Sequence, residues 1–121
     1  MANEITVTSG IRVLNGNLDF QRPSKTYSVN QVAIGGPTPG AISVGTTEES
    51  TAFPELTTEG WLFMQNLDPT NYVQWGFSTG VYGGRMKPGE TAGPFRMEPS
   101  LTLFLKANTA ACNCLVYGFE D

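Results

Sequence analysis

The chain has 121 residues, within the usual span of about 100 to 200 for one domain, and its 40% hydrophobic, 11% aromatic and 15% charged composition excludes a disordered chain or a charged coiled coil. Seven basic residues against eleven acidic ones give a net charge of −4, which leaves no electrostatic footprint for phosphate backbones or anionic lipid, so neither nucleic acid nor a membrane is expected as a direct partner. Histidine is absent, removing the commonest general base and metal ligand, while 14 Gly, 8 Pro, 7 Ser and 14 Thr favour strands and turns over helix.

Met1 to Thr8 is polar and acidic, without the apolar run of a signal peptide, and residues 1–4 read as a flexible arm. From Ile5 to Val13 the odd positions Ile5, Val7, Ile11 and Val13 are apolar, the alternation of a half-buried strand. Asn15-Gly16 then accepts positive φ, and Leu18 and Phe20 resume the alternation, so a hairpin near residue 16 is expected. Lys25 to Ile34 is a second strand whose parity changes after Val29, which places a bulge near Asn30-Gln31. It stops at Gly35-Gly36-Pro37. Ala41 to Thr47 is a short β-branched strand, and Glu48 to Pro54 a polar loop carrying Phe53.

Trp61-Leu62-Phe63-Met64 is a nearly continuous apolar strand, ended by the Asx and proline turn signals of Asn66-Leu67-Asp68-Pro69. Its expected partner is Asn71 to Phe77, with Val73, Trp75 and Phe77 facing the core and Tyr72 and Gln74 on the other face. Residues 78–94, rich in Gly and Pro, read as turns and corners. In Ser100 to Tyr117 the leucines 101, 103 and 105 alternate at period two, so this window is strand, with a turn or single helical turn at Ala107 to Ala111. About eight short strands predict an all-β fold, an antiparallel sandwich or barrel, forming one domain over residues 1–121.

The chemistry-bearing residues form no recognisable constellation. Cys112 and Cys114 would share one face of a strand, too poorly aligned to bridge, and two thiols without imidazole fall short of a zinc site; they read as small buried hydrophobes, with an intersubunit metal site as the alternative. Asp19, Asp68, Glu48, Glu49, Glu59 and Glu90 show no spacing that pairs two across a cleft. The Gly35 to Gly40 run lacks the lysine of a phosphate loop. Trp61, Trp75, Tyr72, Tyr82, Phe77 and Phe53 are candidates for core or oligomer packing, a protein-binding patch, or a platform for sugar rings. No enzymatic activity, cofactor or metal is expected.

One stretch carries a resemblance. The run Gly60-Trp61-Leu62-Phe63-Met64-Gln65-Asn66-Leu67-Asp68-Pro69-Thr70-Asn71-Tyr72-Val73-Gln74-Trp75-Gly76 resembles a segment of small virion proteins of tailed bacteriophages, in which a strand ends in N-L-D, a turn carries T-N-Y and the next strand begins V-x-[WIV]-G. Lys87-Pro88-Gly89-Glu90 is similar to their [KR]-x-G-E turn, and Leu105 to Ala111 to their closing A-x-T-A segment, so the likeness spans roughly residues 28–118. The resemblance implies a capsid decoration, or cement, protein: a jelly-roll-like β-sandwich that binds the outside of the head as an oligomer, commonly a trimer, with the major capsid protein as partner. It would be made in the bacterial host cytoplasm and reside on the virion. On that implication the arm before Ile5 and the segments Thr46 to Pro54 and Ser78 to Pro94 are the expected contacts. Phe53, Tyr82 and Arg85 are the candidate oligomer or capsid interface residues, since exposed aromatics and Arg carry interface energy. A neck, tail or head-fibre component, or a carbohydrate-binding module for host adhesion, are the alternatives.

Overall fold

The computed structural model describes residues 4–121. They form ten β-strands, all antiparallel, with no helix among the described residues. The chain divides into two compact units, residues 1–32 and 33–121. A single sandwich over the whole chain was the expectation; the strands of the two larger sheets all lie between Thr38 and Glu120, and the first two strands pair only with each other.

Unit one is a long hairpin of β1 (Ile5–Asn15) and β2 (Leu18–Val29), turning at Gly16-Asn17 with Gly16 at φ 57°, where the Asn-Gly signal put it. The expected bulge near Asn30-Gln31 does not form, because β2 ends at Val29. The irregularity lies instead between Ser9 and Ile11, where Gly10 faces Pro23-Ser24. Proline cannot donate to the ladder, and a Cβ on residue 10 would sit 2.9 Å from the Ser24 Cα, so glycine permits the close approach. Directly opposed residues share a face. One face therefore carries Ile5, Val7, Ile11 and Val13 against Val29, Tyr27, Arg22 and Phe20, with Leu18 at the tip. The other carries hydroxyl pairs, Thr6 with Ser28 at 3.3 Å and Thr8 with Thr26 at 3.0 Å, the Arg12–Asp19 ion pair at 3.9 Å, and Leu14 as its one large apolar residue. The half-burial expected of the apolar row is not met: Val7 is buried, but Ile11, Val13, Leu18, Phe20 and Tyr27 are exposed.

Unit two is a sandwich of two four-stranded sheets. The first has the order β3 (Thr38–Val44), β10 (Cys112–Glu120), β5 (Glu59–Asn66), β8 (Thr91–Arg96); the second has β4 (Glu49–Thr51), β9 (Leu103–Ala107), β6 (Val73–Gly76), β7 (Gly84–Met86). The loop expected over Glu48 to Pro54 thus contains β4, and the corner material of residues 78–94 contains β7 and the start of β8. Backbone pairing with β9, β6 and β5 holds even these short, polar or glycine-bearing segments extended. Every partner pair is nested: β6 with β7, β5 with β8, β4 with β9, β3 with β10. The eight strands are thus one antiparallel ribbon, reversed between Gly76 and Gly84 and folded over on itself, with β5–β10 and β6–β9 pairs joining its turns.

β5 and β6 were expected to pair and do not; the turn between them carries the chain from one sheet to the other. Side chains enforce that corner. Buried Asn66 donates through Nδ2 to the carbonyls of Asn71 (2.8 Å) and Met86 (3.0 Å), and its Oδ1 accepts from the Asp68 N–H at 2.9 Å. Asp68 in turn accepts from the backbone N–H groups of Thr70 and Asn71.

Alternation fills the space between the sheets. Leu103, Leu105 and Ala107 of β9 and Cys112, Cys114 and Val116 of β10 point inward with Leu62, Met64, Val73 and Met86, all essentially without exposure. Trp75, Phe77 and Phe95 pack against this core as a mutually contacting trio, with Trp75 and Phe95 stacked at 5.5 Å. The orientation expected for Val73, Trp75 and Phe77 therefore holds.

Candidate functional site

Antiparallel pairing decides which outward residues of the second sheet stand side by side. Gln74 of β6 opposes Lys106 of β9 on one flank and Arg85 of β7 on the other, so Arg85, Gln74 and Lys106 form a row across three strands. Tyr72, two residues before Gln74, shares that face, and the Arg85 guanidinium lies 4.0 Å from the centre of its ring. Phe104, half-buried, and Ser50 continue the face toward β4. The sandwich as a whole has nine acidic residues and four basic ones, and two of the four are in this row. The outer face of the second sheet is thus an aromatic and cationic strip on an acidic protein, a composition that suits protein recognition.

At its margin the structure brings together two of the segments expected to make contacts. Glu48 accepts hydrogen bonds from the Gly80 N–H at 2.7 Å and from the Tyr82 hydroxyl, which ties the Thr46 to Pro54 segment to the Ser78 to Pro94 segment. The phenol and then the Gly80 amide hold the Glu48 carboxyl below the usual carboxylate range, and the same bond raises Tyr82 above the usual phenol range. Of the three candidate residues, Arg85 is exposed on the strip, Tyr82 is half-buried against Glu48, and Phe53 is half-buried against the core, its ring where a Cβ on Gly118 would lie. The arm before Ile5 falls on residues 1–3, which lie outside the described residues; Glu4 accepts from the Gln31 N–H at 2.9 Å.

Lys106 was missed as a site residue. Its signal was present, since Phe104 and Lys106 alternate with inward leucines, but its proximity to Arg85 depends on β6 lying between β9 and β7.

The groups with chemical potential elsewhere are structurally engaged. Cys112 and Cys114 are free and buried on the inward face of β10, and desolvation pushes both thiols up, Cys114 to about 11, so they stay protonated at neutral pH. Among the described residues no group of three or more His, Cys, Asp or Glu side chains is placed to hold a metal. Buried Glu120 accepts from the N–H groups of Thr57 (3.0 Å) and Thr58 (2.6 Å), pinning that loop to the last strand, and these two bonds lower its pKa from the usual 4.5.

That depression has a testable consequence. A carboxylate whose pKa is lower folded than unfolded stabilises the fold above its unfolded value and loses that contribution as pH falls through the folded one. Glu120, Asp68 and Glu48 all behave in this sense. The urea midpoint is expected to hold from pH 7 to about pH 5 and then fall. The gap between wild type and Glu120→Gln should shrink over the same range, because protonated Glu120 resembles the amide. A gap independent of pH would refute this role for Glu120.

Compared with known proteins, the chain matches no family model, no curated protein and no solved structure.

Proposed function

We propose that this chain is a structural virion protein that binds the outer surface of a phage capsid as an oligomer, a trimer being favoured, and stabilises the shell. The observation that carries the reading is the strand order. Eight strands forming one nested ribbon, folded so that the pairs alternate between two sheets, supports a jelly roll, an architecture common in viral capsid and lectin domains. The resemblance of residues 60–76 to phage virion proteins supports it from a separate direction, since that run supplies the corner between the sheets. A fold does not by itself specify a role, and the surface supplies the rest: the Arg85–Gln74–Lys106 row beside Tyr72 offers a contact for a shell subunit. The mechanism is mechanical. Identical copies spread over a seam between shell subunits, and weak contacts repeated around one oligomer gain strength through avidity.

The test is to mix purified protein with undecorated heads and pellet them. Co-pelleting in hundreds of copies per particle is expected, and Arg85→Glu with Lys106→Glu should reduce occupancy at least tenfold while leaving the tryptophan signal of the sandwich unchanged. Protein that stays in the supernatant would overturn the capsid reading in favour of a tail, fibre or glycan-binding role.

A further inference from the structure

On one side of the sandwich the two sheets end in β3 and β4, and each of these strands has a neighbour on one flank only. An edge strand directs alternate N–H and C=O groups away from its sheet, unpaired. Between the two edges lies a groove of about 330 Å³, within the range of ligand sites. Pairing decides what points into it, since directly opposed residues share a face. Ile42 and Val44 oppose the inward Cys114 and Cys112, so they face the space between the sheets beside Leu105, and Ala52 and Pro54 complete an apolar lining. Glu49 opposes Leu105 and therefore turns inward as well, an exposed carboxylate at the end of the groove that the turn from β3 to β4 closes. It accepts from the Gly45 N–H at 3.4 Å. The ion pairs among the described residues are Arg12–Asp19 and Arg96–Asp121, so no cation answers Glu49. The chain supplies none nearby in sequence: no Lys or Arg occurs between Lys25 and Arg85, whereas Glu48, Glu49, Glu55 and Glu59 all fall in that stretch.

We infer that this groove binds an extended peptide segment of a partner protein, in which apolar side chains alternate with polar ones and a basic residue stands at one end. Three features specify that occupant. Free strand edges are satisfied by a backbone that offers N–H and C=O groups at strand spacing, which a compact apolar molecule lacks. Ile42 and Val44 stand two residues apart on one strand, so the side chains that cover them recur at period two. The unanswered Glu49 then selects a cation at the closed end by charge complementarity. Another copy of this chain, at net charge −4, would instead bring like charge to an acidic groove. Pro39 has no N–H to give and stands at the open end, which confines strand addition to residues 40–44 of β3. The inference is independent of the capsid reading.

Fluorescence anisotropy on the full-length protein tests it, with a labelled, blocked peptide in which a lysine is followed by valine alternating with threonine. Saturable binding to the wild type is expected, and amide exchange should slow within residues 41–44 when the peptide is added. The same peptide with glutamate in place of its lysine should bind about tenfold more weakly. Glu49→Lys should invert that preference. Ala52→Trp, which fills the groove from an exposed wall position, should abolish binding of both peptides, and urea midpoints close to that of the wild type would show that both variants are folded. Absence of saturable binding, equal binding of the two peptides, a preference that Glu49→Lys leaves unchanged, or binding that survives Ala52→Trp would each overturn the inference. Self-association of the wild type without peptide, lost in Ala52→Trp, would assign the groove to a second copy and overturn it as well.

Discussion

Asn66→Ala is expected to destabilise the fold by about 3 kcal/mol, the cost of leaving three backbone groups without their partner at about 1 kcal/mol or more each. The side chain of Asn66 is fully buried and engages the carbonyls of Asn71 and Met86 and the N–H of Asp68. Those three groups belong to the corner and to the strand β7 that pairs with β6, so the loss falls where the chain passes from one sheet to the other. For a chain of this size the melting temperature should drop by roughly 12 °C, at about 4 °C per kcal/mol. Asn66→Asp should be at least as damaging at pH 7, because it retains the acceptor for Asp68 but turns an anion toward two carbonyls. Thermal and urea unfolding read both. A loss below about 1 kcal/mol for the alanine variant would mean that the corner is held by backbone pairing alone.

The second large effect is expected in the core, where it should depend on position. Leu62→Ala removes a side chain at 1% exposure from β5, a strand flanked by β10 and β8, and should cost about 3 to 5 kcal/mol, because a void there cannot collapse or fill with water. Leu105 is equally inaccessible, yet it also borders the open groove between β3 and β4, together with Ile42, Val44 and Pro54. A void left by Leu105→Ala would be continuous with that groove, so its cost should lie nearer 2 kcal/mol. Equal costs for the two variants would refute the distinction, and urea denaturation with matched slopes resolves a difference of this size.

Much of the fold was legible because local signals and burial agree along most of the sandwich. Leu103 and Leu105 of the period-two leucines became the inward side of β9, with Leu101 exposed ahead of the strand; the Trp61 to Met64 run became β5, and Asn15-Gly16 turned the first hairpin. Errors arose where a local pattern had two possible partners. Asn66-Leu67-Asp68-Pro69 was correctly identified as a turn, but a turn between two strands fits a hairpin and an inter-sheet corner equally well in sequence. The difference is the set of bonds Asn66 makes with residues 71 and 86. Likewise, β4 and β7 are strands only because β9 and β6 hold them extended, and three residues carry too little pattern to announce themselves.

The candidate strip shows the same division. Arg85 was singled out for its residue type, whereas Lys106, 21 positions later, acquired its place only through the β9–β6–β7 order. Phe53 has the residue type of an interface anchor but spends much of its ring against Gly118 and the core.

The sequence by itself determined the all-β class, the positions of most turns, the inward faces of β6, β9 and β10 and the absence of any histidine chemistry, because each depends on residue type and short-range periodicity; the buried Met86, Ala92 and Met97 were not among them. The tertiary structure alone decided the nesting of the ribbon, the pairing of β6 with β7 and β9, and the exposure of the hairpin's apolar row. Alternation states that one face of a strand is apolar, but what covers that face is set by contacts between segments far apart in the chain.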